Sequence, residues 1–134
     1  TVYFQTYENN TNMISEITNK NPDKFLEKKL NIRKKNKLPP FQRFISLILT
    51  GENENKLEKE AFNFKNFIEN KIEGKILGPV NAPLFRLKKK FRIRFLVRGS
   101  KSMKMQNSLA KIIPKYKFSS GIKLSVDVDP INFN

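Results

Sequence analysis

Residues 90–98, KFRIRFLVR, alternate with a period of two: Phe91, Ile93, Phe95 and Val97 on one side, Arg92, Arg94, Leu96 and Arg98 on the other. A helix would scatter these residues around its axis, because its repeat is about 3.6 residues. An extended strand separates them onto opposite faces. The segment therefore demands a sheet with one side buried by apolar packing and the other side bare enough to carry arginines. A one-residue slip would bury three guanidinium groups, so the register of this strand is strongly specified.

The remaining pattern supplies the layers that such a sheet needs. RFISLILTG is an apolar run of strand length ended by Gly51, read as a central strand covered on one face and shielded on the other. ENENKLEKEAFNFKNFIENKIEG follows, with Leu57, Ala61, Phe64, Ile68 and Ile72 stepping at helical spacing up to Gly74. KILGPV reads as a short strand entering a loop that holds Pro79 and Pro83. SKSMKMQNSLAKII carries Met105, Leu109, Ile112 and Ile113 at helical spacing before Pro114, and IKLSVDVDP alternates again with Ile122, Leu124, Val126 and Val128 inward. From Phe41 onward the order is strand, helix, strand, strand, helix, strand. That order predicts an α+β, ferredoxin-like βαββαβ domain in which two helices cover one sheet face and the other is left available.

Upstream, TVYFQT reads as a strand and Ile14 with Ile17 as a short helical turn. DKFLEKKLNIRKKNK has helical spacing at Phe25, Leu26 and Leu30, with Asp23 as its cap and the prolines of LPP as its end. A chain of 134 residues that opens on Thr1, in what reads as a strand already under way, is expected to continue a longer protein.

Charge narrows the function. The net charge is +15, from 27 basic and 12 acidic residues. Residues 1–74 hold 13 basic and 10 acidic side chains, whereas residues 75–126 hold 14 basic and none acidic. A-rich codons would enrich Lys and Asn, but they would enrich Glu as well, so the acid-free window points to an anionic partner. Arg86, Lys88, Lys89, Lys90, Arg92, Arg94, Arg98, Lys101 and Lys104 put nine cations into 19 residues. Such residues bind phosphates with little sequence preference and a steep salt dependence. Phe85 and Phe91 lie among them as candidates for base stacking, although aromatics at alternating strand positions usually belong to the core.

Enzymatic chemistry finds little footing. The chain has no histidine and no cysteine, which removes the usual general base, the thiol nucleophile and the usual zinc ligands. No phosphate-binding GxxxxGK[ST] loop occurs, and TGENENK places acids where a small acyl phosphatase would cradle an anion. Asp127 and Asp129 form too thin a pair for a metal. Asp127 is expected to pair with a basic neighbour while Asp129 starts the turn at Pro130. No signal peptide or apolar run of membrane-spanning length is read, so the expected location is the cytoplasm.

Three stretches carry a family resemblance when taken in order. FLEKKLNIRKKNKLPPF, ILGPVNAPLFRLKKKFRIRFLVR and the closing LSVDVDP, with FQTY before them, resemble the C-terminal region of the primosomal protein N′ (PriA) family of bacterial replication restart helicases. The resemblance covers essentially the whole chain. It implies that residues 1–37 are the end of a second RecA-like helicase lobe plus a bridging helix, and residues 38–134 the family's C-terminal DNA- and partner-binding domain. It also implies a parent protein that unwinds DNA 3′ to 5′ with ATP and Mg and that holds zinc, all through upstream segments. The piece itself would be non-catalytic and need no cofactor. Implied partners are branched and single-stranded DNA, the acidic tail of single-stranded DNA-binding protein, and other primosome proteins. For the acidic tail, the matching stretch GSKSMKMQ offers Lys101 or Lys104 as the cation and Gln106 as its polar neighbour, with Met103 and Met105 as possible apolar lining. A free-standing ferredoxin-like RNA-binding or ribosome-associated protein is the alternative from the residues alone.

Overall fold

The computed structural model describes residues 22–130, together with Tyr3, Gln5, Tyr7 and Ile14. The strand expected at TVYFQT and the turn expected at Ile14 to Ile17 lie, apart from those four residues, outside the described ones. The chain divides into two compact units, residues 1–38 and 39–134.

In the first unit, α1 (Pro22–Lys35) begins with proline, whose missing N–H costs nothing in the first turn. Asp23 sits within that turn rather than before it, where a carboxylate still favours the helix N-terminus. Two residues past the helix end, Lys37 at a φ of 53° turns the chain. The Leu38 N–H then reaches the Arg33 carbonyl at 2.9 Å and the Lys37 N–H reaches that of Lys34 at 3.2 Å, which satisfies two terminal acceptors.

The second unit contains β1 (Arg43–Gly51), α2 (Glu54–Ile68), β2 (Lys75–Leu87), β3 (Lys90–Gly99), α3 (Lys104–Ile112), a 3₁₀ turn (Ile113–Lys115) and β4 (Lys123–Val128). All strand pairs are antiparallel and the order across the sheet is β2-β3-β1-β4. The fold is thus α+β with a four-stranded antiparallel open sheet, its strands and helices running βαββαβ along the chain.

One side of the sheet carries the core. Ile45, Leu47 and Leu49 of β1 and Ile93, Phe95 and Val97 of β3 pack against Leu57, Ala61, Phe64 and Ile68 of α2 and Met105 and Leu109 of α3. Phe64 sits at the centre, edge-on to Phe95 at 6.0 Å and to Tyr116 at 5.1 Å. Asn53 starts α2 by accepting the Lys56 N–H at 2.9 Å. On α2 itself, the buried Glu60 carboxylate accepts the Ser119 hydroxyl at 2.7 Å, which ties the loop before β4 to the helix.

Three expectations change. The helix after β1 stops at Ile68, so Ile72 reaches the core from a turn instead of a fourth helical step. The segment after Gly74 is one long strand, not a short strand and a loop. It is an edge strand, where proline's missing donor is tolerated. Val126 and Val128 do lie on the helix side, opposite Leu47 and Ile45, but remain 47% and 37% exposed. α2 packs across β1, β2 and β3, and β4 is the outer strand on the other edge.

Candidate nucleic-acid interface

The register fixes which cations share a face. On β3, Arg92, Arg94 and Arg98 lie opposite Thr50, Ile48 and Phe44 of β1, on the side away from α2 and α3. Successive members of this row are about 6.8 Å apart where they alternate along the strand. All three arginines are half-buried, and Phe44 and Ser46 of the same face are buried. β1 is therefore covered on both sides toward its Phe44 end, as its continuous apolar sequence predicts.

β2 reaches this face through two irregularities. Leu77 faces Leu96 and Val80 faces Arg94, so one extra residue is accommodated at Gly78–Pro79. Gly78 has a φ of 105°, and a Cβ there would stand 2.8 Å from the Arg94 carbonyl. Only glycine permits so close an approach with that backbone. A second shift lies between Asn81 and Arg86. The result is an aliphatic row of Leu77, Val80 and Leu87, each between 39% and 52% exposed, beside the arginine row.

The β2–β3 hairpin closes with Lys88 and Lys89 at φ 50° and 64°, two consecutive left-handed residues. Such two-residue turns favour Asn-Gly, because a side chain at positive φ is strained. Here two exposed lysines occupy them. Between the hairpin and the sheet face lies a shallow concavity of about 340 Å³, lined by Lys88, Lys90, Arg92, Leu87, Ile48, Thr50 and Ser125. Among the described residues, no carboxylate joins this lining. Glu52 approaches Lys90 from the rim at 3.9 Å and is 78% exposed.

Not every predicted cation joins this group. Arg86 lies opposite Phe91 in the register and rests 5.5 Å from its ring centre. Phe85 and Phe91 pack on each other at 5.4 Å and against the core, on the helix side, so neither is offered to the arginine face. Lys101 and Lys104 are exposed, before and at the start of α3.

Gln106 is half-buried and its cationic neighbour is neither lysine. Arg43 donates from Nη1 to Gln106 Oε1 at 3.2 Å and to Met103 Sδ at 3.1 Å, while its Nε meets Asp129 at 3.1 Å. Met103 is 54% exposed and Met105 is in the core. The ion pair expected of Asp127 is therefore made by Asp129, whose left-handed turn at φ 53° places its own N–H on the Phe44 carbonyl at 2.8 Å. Asp127 instead faces Ser46, away from the helices. Sequence reasoning missed Arg43 because its partner Asp129 stands at the opposite end of the domain. The register of the first and last strands, Ile45 opposite Val128, is the signal that could have found it.

The family model described as the primosomal protein N C-terminal domain matches residues 34–131. The chain belongs to the PriA C-terminal family. Among relatives, the replication restart protein PriA of Rickettsia typhi is 34% identical over 132 residues, covering 98% of this chain and 20% of that protein. The PriA of Borreliella burgdorferi is 28% identical over 114 residues, covering 82% and 17%. That of Synechocystis is 28% identical over 137 residues, covering 99% and 16%. The chain thus spans about a fifth of the length of the PriA proteins it matches. Among the described residues, no helix is long and apolar enough to cross a membrane, and no cluster of acidic side chains is suited to a metal.

Proposed function

We propose that residues 38–134 form the DNA-binding C-terminal domain of a replication restart helicase, with the ferredoxin-like sheet as scaffold and its face opposite α2 and α3 as the binding surface. The carrying observation is the row of Arg92, Arg94 and Arg98, continued by Lys90 and Lys88, on the side of the sheet away from α2 and α3. Side chains so arranged neutralise phosphates without reading bases, and they suit a protein that meets forks of any sequence. Residues 1–37 belong, in this reading, to the end of a RecA-like lobe and a bridging helix. The ATP, Mg and zinc chemistry of a 3′–5′ helicase in the bacterial cytoplasm would then reside in upstream segments.

A second surface suits an acidic peptide, such as the tail of single-stranded DNA-binding protein. Gln106 stands beside the Arg43 guanidinium and the exposed Met103, with Lys101 and Lys104 nearby in the chain. A terminal carboxylate beside an apolar side chain would find a cation, a polar group and an apolar surface there.

The test of the DNA reading is a paired substitution, Arg92→Ala with Arg94→Ala. Binding to a DNA duplex should weaken, and the slope of log affinity against log salt should flatten by about 0.9 for each phosphate that is no longer neutralised. Unchanged affinity at low salt would remove the sheet face as the binding surface. For the peptide surface, Gln106→Ala and Lys101→Ala should lower affinity for an acidic peptide with an apolar C-terminal residue while the circular dichroism spectrum stays the same. Equal binding by variant and parent would discard that site.

A further inference from the structure

The two edges of the sheet are built differently. β2 carries Pro79, Pro83 and two register shifts, devices that keep an edge strand from pairing with a foreign one. β4 has no proline and no register shift over Lys123–Val128, and every residue of it except Leu124 is exposed. We propose that β4 is a self-pairing edge, which joins two copies of this chain antiparallel across a two-fold axis at Ser125. This goes beyond the DNA reading and uses none of the arginine row.

The backbone limits how two such edges can meet. The Asp129 N–H donates to the Phe44 carbonyl at 2.8 Å, so by alternation the N–H and C=O of Asp127, Ser125 and Lys123 also turn toward β1. Those of Leu124, Val126 and Val128 therefore point off the sheet, where an antiparallel partner must bring its own outward groups opposite them. With Ser125 on the axis, Leu124 exchanges both bonds with Val126 of the second copy, and Val126 with its Leu124. The Val128 N–H meets the Ile122 carbonyl of the second copy. The Ile122 N–H is already given to the Ser119 carbonyl, and Pro130 has no N–H, so the seam ends there.

Side chains select this register. It sets Lys123 opposite Asp127 on one face, twice by symmetry, and Leu124 opposite the 47% exposed Val126 on the other. Sliding by two residues, the next step the outward groups allow, puts Lys123 opposite Ser125 or opposite Asp129, which Arg43 already holds. Within one chain Lys123 and Asp127 stand about 13 Å apart, too far to pair. Among the described residues, neither makes an ion pair. Asp127 is also the first carboxylate after Glu73, so β4 is where the basic second half of the chain can receive a lysine from another copy. A seam of one strand pair is at the weak end of interfaces, below about 1,200 Å² in total.

Sedimentation equilibrium of the intact chain, from micromolar to near-millimolar concentration, reads the association. A dimer should form with a dissociation constant on the order of 100 μM. Lys123→Asp and Asp127→Lys should each weaken it about tenfold, because symmetry enters every like-charge contact twice. The two together should restore it to within about threefold of the parent, since the pairs are then merely reversed. Val126→Pro removes an outward donor without touching the ladder to β1, and should abolish the dimer while the far-ultraviolet circular dichroism spectrum is kept. The chain has no native cysteine, so Ser125→Cys gives a register-specific readout. Its two copies would face each other with Cα atoms about 4.5 Å apart, within disulfide reach, and should cross-link on air oxidation. Ser100→Cys, exposed after β3, should not. Monomer at every concentration would overturn a second copy as the occupant and leave the edge to a strand of another protein. Failure of the double reversal to restore association, or equal cross-linking of the two cysteine variants, would overturn the seam.

Discussion

Gly78→Ala tests whether the close approach of β2 to the arginine strand holds the face together. The parent residue has φ 105°, where an L side chain is strained by about 1–2 kcal/mol or more. The added Cβ would also meet the Arg94 carbonyl at 2.8 Å and the Phe95 Cα at 3.4 Å. These are backbone atoms of a strand whose Phe95 and Val97 are fully buried, so relief requires moving packed core, at about 1–3 kcal/mol. The total is about 3 kcal/mol, and for a unit of this size each kcal/mol lowers Tm by about 4–8 °C. Gly121→Ala is the internal control, since its φ is 84° but nothing lies within 4 Å of the new Cβ. It should cost about 1 kcal/mol, from backbone strain alone. Thermal melts followed by circular dichroism should therefore separate the two variants by about 2 kcal/mol, read as roughly 8–16 °C. Equal melting temperatures would refute the claim that crowding against Arg94, rather than conformation, makes glycine necessary at position 78.

Further outcomes follow from the hairpin and the half-buried Tyr116. Replacing Lys88→Asn together with Lys89→Gly should relieve the two left-handed lysines and stabilise the fold by about 1 kcal/mol, yet weaken DNA binding; a rise in both stability and affinity would contradict a functional reason for the strain. Tyr116 is pushed up from 10.0 to about 12 by burial first and then by its bond to Glu60 and that residue's charge. A raised folded value means that its stabilisation is full below about pH 10 and is lost as pH climbs toward about 12. Tyrosinate absorbance, taken as a difference from Tyr116→Phe, should show the late titration, and Glu60→Gln should bring it earlier without abolishing the shift. Titration at the ordinary value in the parent would refute the burial and the bond.

The alternation of KFRIRFLVR was legible because its period admits one backbone geometry, and β3 runs over Lys90–Gly99 with Ile93, Phe95 and Val97 buried. The same holds for β1, whose unbroken apolar run has buried residues on both sides. What stayed hidden depends on partners far along the chain. The prolines of β2 read locally as a loop, and only its position at the sheet edge makes them compatible with a strand. The basic residues of 86–104 read as a continuous run, but the bulges and the turn divide them, sending Arg86 to Phe91 and the β3 arginines to the opposite face. The Arg43–Gln106–Asp129 cluster joins three elements, and no local spacing announces it.

The most direct measurement is residue-level backbone amide mapping of the intact chain, by heteronuclear NMR, during titration with a short single-stranded DNA. Changes should concentrate at Thr50, Leu87, Lys88, Lys90, Arg92, Arg94 and Ser125, and high salt should reverse them. Changes centred instead on the outer face of α2, at Glu58, Phe62 and Asn66, with the β3 amides unmoved, would contradict the account.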